Sequence, residues 1–307
     1  MGLNLTEEQK MIQDTARELA LLELGPRAVE ADSYKLFPWD GVRVLADAEL
    51  LGMLLPTSYG GGGADTLSFV LAVEALAKGC ANTALIFVTH AIASRGVLIG
   101  SRDPLKGELL PKLAKGEKFI GFAATEPDSG SNTAAIQTSA KLDGENYVVN
   151  GSKIYITGVE EMHYYLTVVR TGPGPTGLSS LVIEKDIPGF STGRKFLRLG
   201  MNGTASGELF FADCQVPQGH LVGEEGSYMP VGFAIGALGL LGASAIALGL
   251  AQGALEASLL HGKQRTIGGQ PLGGNQAVQL MAADMSVAVE AARHLLYGAA
   301  SAMDAPP

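Results

Sequence analysis

The stretch Phe-Ala-Ala-Thr-Glu-Pro-Asp-Ser-Gly-Ser-Asn at 122–132 gathers residue types that suit a flat, polar-edged ligand. Small side chains let backbone approach such a ligand, Thr125 and Ser131 offer hydroxyls, and Gly130 permits a tight turn. The same residues also suit an ordinary strand and loop with a Pro-Asp turn, and by themselves they leave both readings open. Other candidate chemistry is weaker. Gly60 to Gly63 invite a phosphate loop, but no Lys-Ser/Thr follows and no strand clearly feeds them, so they read as a turn. His90, His163, His220, His261 and His294 have no metal-ligand spacing, and no metal is expected. Cys80 and Cys214 stand far apart and read as reduced thiols, which suits a cytoplasmic protein.

The chain has 307 residues, long enough for about two or three domains. Its formal charge of −9 argues against sequence-independent nucleic-acid binding, which needs a basic face. The first residues carry acids early and no apolar core, so no secretory signal is expected. A run from Gly226 to Leu255 holds no charge and exceeds the roughly 20 residues that span a bilayer. It lacks flanking Lys and Arg, and Tyr228 is its one aromatic near an end. It reads as a helix buried on all sides by protein, not as a membrane span.

The elements around the candidate stretch follow from periodicity. From Thr6 to about Lys115 the spacing is helical, with Thr6 as an N-cap and Glu7 and Glu8 in the first turn. From Phe119 to about Val222 the period falls to two, with Asp143-Gly144 and Asn150-Gly151 as hairpin turns. Further strands with no intervening helix suggest an antiparallel barrel or sandwich. From Tyr228 the chain is helical again, through one long helix, a Gly-rich connection and a second helix. The fold class is thus multi-domain α and β. A helical N-terminal domain (1–117) and a middle antiparallel β-barrel or sandwich domain (118–225) precede a C-terminal helical domain (226–307) that looks incomplete.

Two stretches taken together resemble the acyl-CoA dehydrogenase family. Thr125, Glu126, Pro127, Gly130, Ser131 and Asn132 match its T-E-P-x-x-G-S-[DN] motif. Asn150, Gly151, Lys153, Tyr155, Ile156 and Thr157 match its N-G-x-K-x-[WY]-I-T hairpin. The segments 56–65, 109–117 and 210–217 fit as well, in order along the chain. The resemblance implies FAD bound between the β domain and the C-terminal helices. It implies that Phe122, Ala124, Thr125, Gly130 and Ser131 contact FAD, with Ser131 also near the acyl-CoA substrate. Tyr155, Ile156 and Thr157 would lie against the isoalloxazine, Thr157 hydrogen-bonding near N5. Arg265 would reach the FAD pyrophosphate of a neighbouring subunit, with Gln276 in the same region. A homodimer or homotetramer and an electron-transfer flavoprotein as acceptor are further implications. Three positions depart from the pattern: Tyr155 where Trp is frequent, Gly268-Gly269 in place of Phe-Gly, and Asn202 in place of Arg.

The family reaction removes the α-proton and the β-hydride of an acyl-CoA thioester, the hydride going to flavin N5. A carboxylate takes the proton, in a dry pocket that raises its pKa. Family members place this Glu late in the C-terminal domain, or at the start of the long helix just before an Arg. Aligned on Gly249 to Gln252, the helix positions fall on Gly239 and Leu240, which supply neither residue. The base is therefore expected beyond Pro307. The alternatives are a non-catalytic partner subunit, whose homologous partner supplies the base in a hetero-oligomer, and a flavoprotein relative that is not a dehydrogenase.

Overall fold

The computed structural model describes residues 4–174 and 176–304. Its helices are α1 (Glu7–Leu19), α2 (Gly25–Ser33), α3 (Trp39–Asp47), α4 (Thr66–Gly79), α5 (Ala81–Gly100), α6 (Asp103–Ala114), α7 (Tyr228–Gln264) and α8 (Gln276–Asp304). Its first strands are β1 (Ile120–Ala123), β2 (Ser139–Asp143), β3 (Asn146–Thr157), β4 (Tyr164–Arg170) and β5 (Leu178–Glu184). They are followed by β6 (Phe190–Lys195), β7 (Ser206–Pro217), β8 (Leu221–Val222), β9 (Thr266–Ile267) and β10 (Gln270–Pro271). Two compact units result, one of residues 1–28, 65–84 and 240–307, the other of residues 29–64 and 85–239.

In the first unit, Thr6 and Gln9 form a reciprocal capping box at the head of α1. The carboxylate of Asp65 caps α4, accepting from Ser68 N at 2.7 Å and from Gln9 Nε2 at 2.8 Å. Asp304, at the end of α8, accepts from Thr66 N and Leu67 N at 2.8 and 3.2 Å, so two orphan donors of that helix start are satisfied. A buried polar cluster joins α4, α7 and α8. Arg293 Nε and Nη2 each stand 3.0 Å from Glu74 Oε1, and Nη2 also donates to Gln252 Oε1 at 2.8 Å. Arg293 pairs with Glu290 as well, and Tyr297 OH donates to Glu74 Oε2 at 2.6 Å. Gly249 lets α7 approach α4 closely, because a Cβ there would lie 2.3 Å from the Glu74 carbonyl oxygen.

In the second unit, the apolar faces of α5 and α6 pack on the sheet through Ala93, Val97, Leu109, Leu110, Ile120 and Leu166. Eight strands form one sheet in the order β6-β7-β3-β2-β4-β5-β8, with β1 joined to β4. Its long pairings, β3 with β7 and β4 with β5, are antiparallel, as the alternation predicts. The β1–β4 pair is parallel, from Ile120 opposite Tyr164 to Ala123 opposite Thr167. That pairing arises from a crossover of about forty residues and leaves no local mark in the sequence.

Two expectations are corrected here. Asp143-Gly144 does turn the chain between β2 and β3, with Gly144 at φ +59°. Asn150-Gly151, by contrast, makes no turn and lies inside β3. Nor is α7 buried on all sides: Phe233, Leu240 and Leu250 are 71%, 73% and 47% exposed. Its neighbours cover only part of its circumference, at contacts such as Ile235 near Gly96 and Gly249 against Glu74. By length and composition both α5 and α7 could cross a membrane; 67% and 39% of their apolar windows are buried within the chain.

Candidate functional site

A buried ion pair fastens the 122–132 stretch to β3. Lys153, fully buried, donates to Glu126 Oε1 at 2.8 Å and to the Ala124 carbonyl at 3.1 Å. The Glu126 carboxylate also accepts from Gln137 N at 2.7 Å and Thr138 N at 2.9 Å. Burial pushes the Glu126 carboxyl up, but Lys153 and the Thr138 and Gln137 hydrogen bonds outweigh it and hold the group below the ordinary range. Burial lowers Lys153 to about 8 against the pull of Glu126, so both groups are charged at neutral pH. A backbone bond from Ile154 N to Thr125 O, 2.9 Å, completes the seam. In the sequence Glu126 and Lys153 stand out only as motif matches, and their opposite charges within two matched motifs are the one signal of the pair.

Beyond the seam the loop turns over Glu126–Ser129, whose backbones bond in both directions at 2.8 and 3.1 Å. This is the Pro-Asp turn that the sequence also allowed, with Pro127 and Asp128 exposed at its tip. Gly130 does not make the turn. It lacks a positive φ, and a Cβ added there meets nothing within 4 Å. The fold therefore leaves open room above Gly130, as a cradle for a closely approaching ligand requires. Ser131 is exposed and Thr125 half-buried. Among the described residues, no hydrogen bond engages the hydroxyls of Thr125, Ser131 or Thr157. Phe122 and Ala124 are partly exposed and pack against a core of Ile136, Val168, Leu178 and Tyr228.

A bulge in β3 sorts the second motif. Lys153 pairs with Leu209 and Ile156 with Gly207, so β3 carries one residue more than β7 between these points. Both Lys153 and Ile156 point inward, although strict alternation would send them to opposite faces. Tyr155 takes up the irregularity at φ +61°, is 62% exposed, and packs on Phe196 with ring centroids 4.9 Å apart. Arg194 lies over the far ring, 4.9 Å from the Phe196 centroid. Thr157 is half-buried. Ile156 is 3% exposed and turns its side chain into the core, unlike Tyr155 and Thr157 on either side of it.

Gly151 serves a second bulge, this one on β7. Val149 pairs with Cys214 and Gly151 with Phe211, and Asp213 on the longer side sits at φ +53°. Asn150 holds that residue with two bonds of 2.9 Å, Nδ2 to Asp213 Oδ1 and Asp213 N to its own Oδ1. Gly151 itself has φ +147°, and a Cβ there would stand 2.6 Å from Thr138 Oγ1. Gly151→Ala is accordingly expected to cost about 1–3 kcal/mol in urea unfolding, from strain and overpacking together. A loss below a few tenths would contradict that close approach.

Asn202 lies in a loop tied to α2, its backbone N donating to Asp32 Oδ1 at 2.7 Å. Arg265 and Gln276 belong to the first unit, and both are exposed. Arg265 precedes a two-strand hairpin whose turn is Gly268-Gly269, at φ +59° and +82°. Two consecutive positive φ values explain the glycines as turn residues. Gly239 on α7 has only Ile92 carbons at 3.8 and 3.9 Å from its added Cβ, and neither it nor Leu240 can ionise.

Comparison with known proteins covers nearly the whole chain. Residues 6–117, 121–214 and 238–306 match the N-terminal, middle and C-terminal domain models of acyl-CoA dehydrogenase. An acyl-CoA dehydrogenase of Bacillus subtilis is 35% identical over 301 residues, 97% of this chain and 79% of that protein. Cyclohex-1-ene-1-carbonyl-CoA dehydrogenase of Syntrophus aciditrophicus is 39% identical over 98% of this chain and 73% of its own length. Butyryl-CoA dehydrogenase of Megasphaera elsdenii superimposes with a TM-score of 0.94 at 32% identity, over 98% of this chain and 80% of that one. A chain from the structure described as the electron transferring flavoprotein of Acidaminococcus fermentans gives 0.95 at 36% identity, over 98% and 80%. The FAD complex of PigA gives 0.91 at 27%, over 99% and 81%.

Proposed function

The chain belongs to the acyl-CoA dehydrogenase family, and on that premise we propose which of its residues hold the cofactor and the substrate. It is an FAD-dependent oxidoreductase that desaturates an acyl-CoA thioester between Cα and Cβ. FAD, when bound, supplies the hydride acceptor. The observation that carries the residue assignment is the Glu126–Lys153 seam, which presents Thr125, Gly130, Ser131, Tyr155 and Thr157 from one locked support. Unengaged hydroxyls at Thr125 and Thr157 suit the polar edge of an isoalloxazine, and the exposed ring of Tyr155 suits its face. The exposed, unengaged hydroxyl of Ser131 suits a donor shared by flavin and thioester. The α-proton goes to a group outside the stretch Gly239–Leu240, since neither residue accepts one.

Reconstitution tests this reading. FAD added to the chain is expected to give a bound-flavin spectrum and to raise Tm through binding linkage. A chain that stays colourless and gains no thermal stability would sink it. Gly130→Ala sharpens the test. With open space around that Cβ, the Tm of the FAD-free chain should stay unchanged while FAD affinity falls. Equal loss of both would show that Gly130 serves the fold alone.

Three finer statements belong to the same proposal. Similarity to the Acidaminococcus chain supports an electron-transfer flavoprotein as acceptor. Arg265, exposed at the head of its hairpin, suits a phosphate of FAD held by a second copy, which makes the working form a homo-oligomer. Two free, buried thiols, Cys80 and Cys214, suit a reducing cytoplasm.

A further inference from the structure

Strand β1 leads directly into the proposed flavin loop, and two histidines hold its head. Phe119 N donates to His163 Nδ1 at 3.0 Å, and Ile120 N points to His90 Nδ1 at 3.4 Å. The first contact is reciprocal, because His163 N donates to Phe119 O at 2.9 Å and the two rings stack with centroids 5.9 Å apart. His90, fully buried, is oriented by Nε2 donating to Leu113 O at 3.0 Å, which leaves its Nδ1 as the acceptor. Phe119 is held on its other sides by Trp39 and by the His90 ring, both at 5.7 Å. Successive backbone donors at one strand head thus depend on two imidazole nitrogens that accept only while unprotonated.

We propose that His163 is a positioning residue for the flavin site: its neutral Nδ1 clamps the head of β1, and protonation there loosens residues 119–125 and weakens the hold on FAD. The proposal rests on the reading of residues 122–131 as the flavin loop. A protonated Nδ1 carries a hydrogen toward the Phe119 N–H, setting donor against donor. The charged groups facing His163 are Lys118 just before β1, and Lys185 and Asp186 beyond β5. Burial lowers its pKa, the two lysines lower it further, and Asp186 opposes them, so His163 titrates below 6.5. Burial takes His90 down to about 4, against the Leu113 carbonyl, so the second histidine joins only in stronger acid. The sign follows: both folded values are depressed, so the clamp is intact above 6.5 and is lost as pH falls through the folded values.

The test compares the wild type with His163→Asn and His163→Leu at pH 7.5 and at a pH below the His163 transition, which NMR titration of the wild-type ring locates. Asn keeps an acceptor at the Nδ1 position and does not titrate; Leu removes the acceptor. Hydrogen exchange of residues 119–125 is read on the FAD-free chain, and FAD dissociation is read separately by flavin fluorescence. On acidification the wild type should lose protection and FAD affinity, by up to about tenfold per pH unit below the folded pKa. His163→Asn should hold both steady, and His163→Leu should be loose at both pH values. The clamp is overturned if His163→Asn follows the wild-type pH profile, or if His163→Leu matches the wild type at pH 7.5. Exchange decides the clamp even for a chain that binds no FAD, an outcome that would refute only the cofactor assignment.

Discussion

Lys153→Met is expected to destabilise the chain by about 3–5 kcal/mol, the cost of leaving a buried carboxylate without its cation. Glu126 would keep the Gln137 and Thr138 N–H groups but lose the ammonium that offsets its burial. The Ala124 carbonyl would lose a donor at the same time. Replacing both partners of a buried pair by apolar groups often recovers such a loss. Here it should not, because Lys153→Met combined with Glu126→Leu strands the buried Thr138 N–H and removes the acceptor of the Gln137 N–H as well. Urea unfolding of the two single variants and the double variant checks this. A double variant as stable as the wild type would show that the pair does not organise the loop. The flavin should respond with the fold, since Thr125 and the Gly130–Ser131 segment leave the seam on one side and Tyr155 and Thr157 on the other.

What the sequence made legible follows from the range of the interactions. Features with strong local signals are present: Thr6 caps α1, and Asp143-Gly144 turns β2 into β3. These features are settled within a few residues, so a short window contains their cause. Asn150-Gly151 carries the same local signal as Asp143-Gly144, yet its conformation answers to Thr138 on one side and Asp213 on the other. Neither residue lies in any window that includes the dipeptide alone. The candidate site divides the same way. Its motifs were readable, but the inward turn of Ile156 was not, because one extra residue opposite Leu209 and Gly207 shifts the alternation. The charge pairing of Glu126 with Lys153 spans 27 positions and shows only once the strands are placed.

Helix α7 poses the remaining question of register, since its uncharged run from residue 236 to 250 gives burial little means of choosing a face. In the first unit two specific features choose it: the close approach of Gly249 to the Glu74 carbonyl, and Gln252 accepting from Arg293. Arg293→Met is therefore expected to cost about 3 kcal/mol, because Glu74, with its side chain only 11% exposed, would retain Tyr297 as its donor but no cation. Lys78→Met supplies the contrast on the same helices. It breaks the Lys78–Glu256 pair, whose side chains are 44% and 46% exposed, and should cost no more than about 1 kcal/mol. If thermal unfolding finds the two losses equal, the buried cluster is not what fixes α7. Adding Glu74→Leu to Arg293→Met removes the uncompensated carboxylate and should return part of the lost stability. It should not return all of it, because the Tyr297 hydroxyl and the Gln252 amide then both lack the partners that set the helix in place.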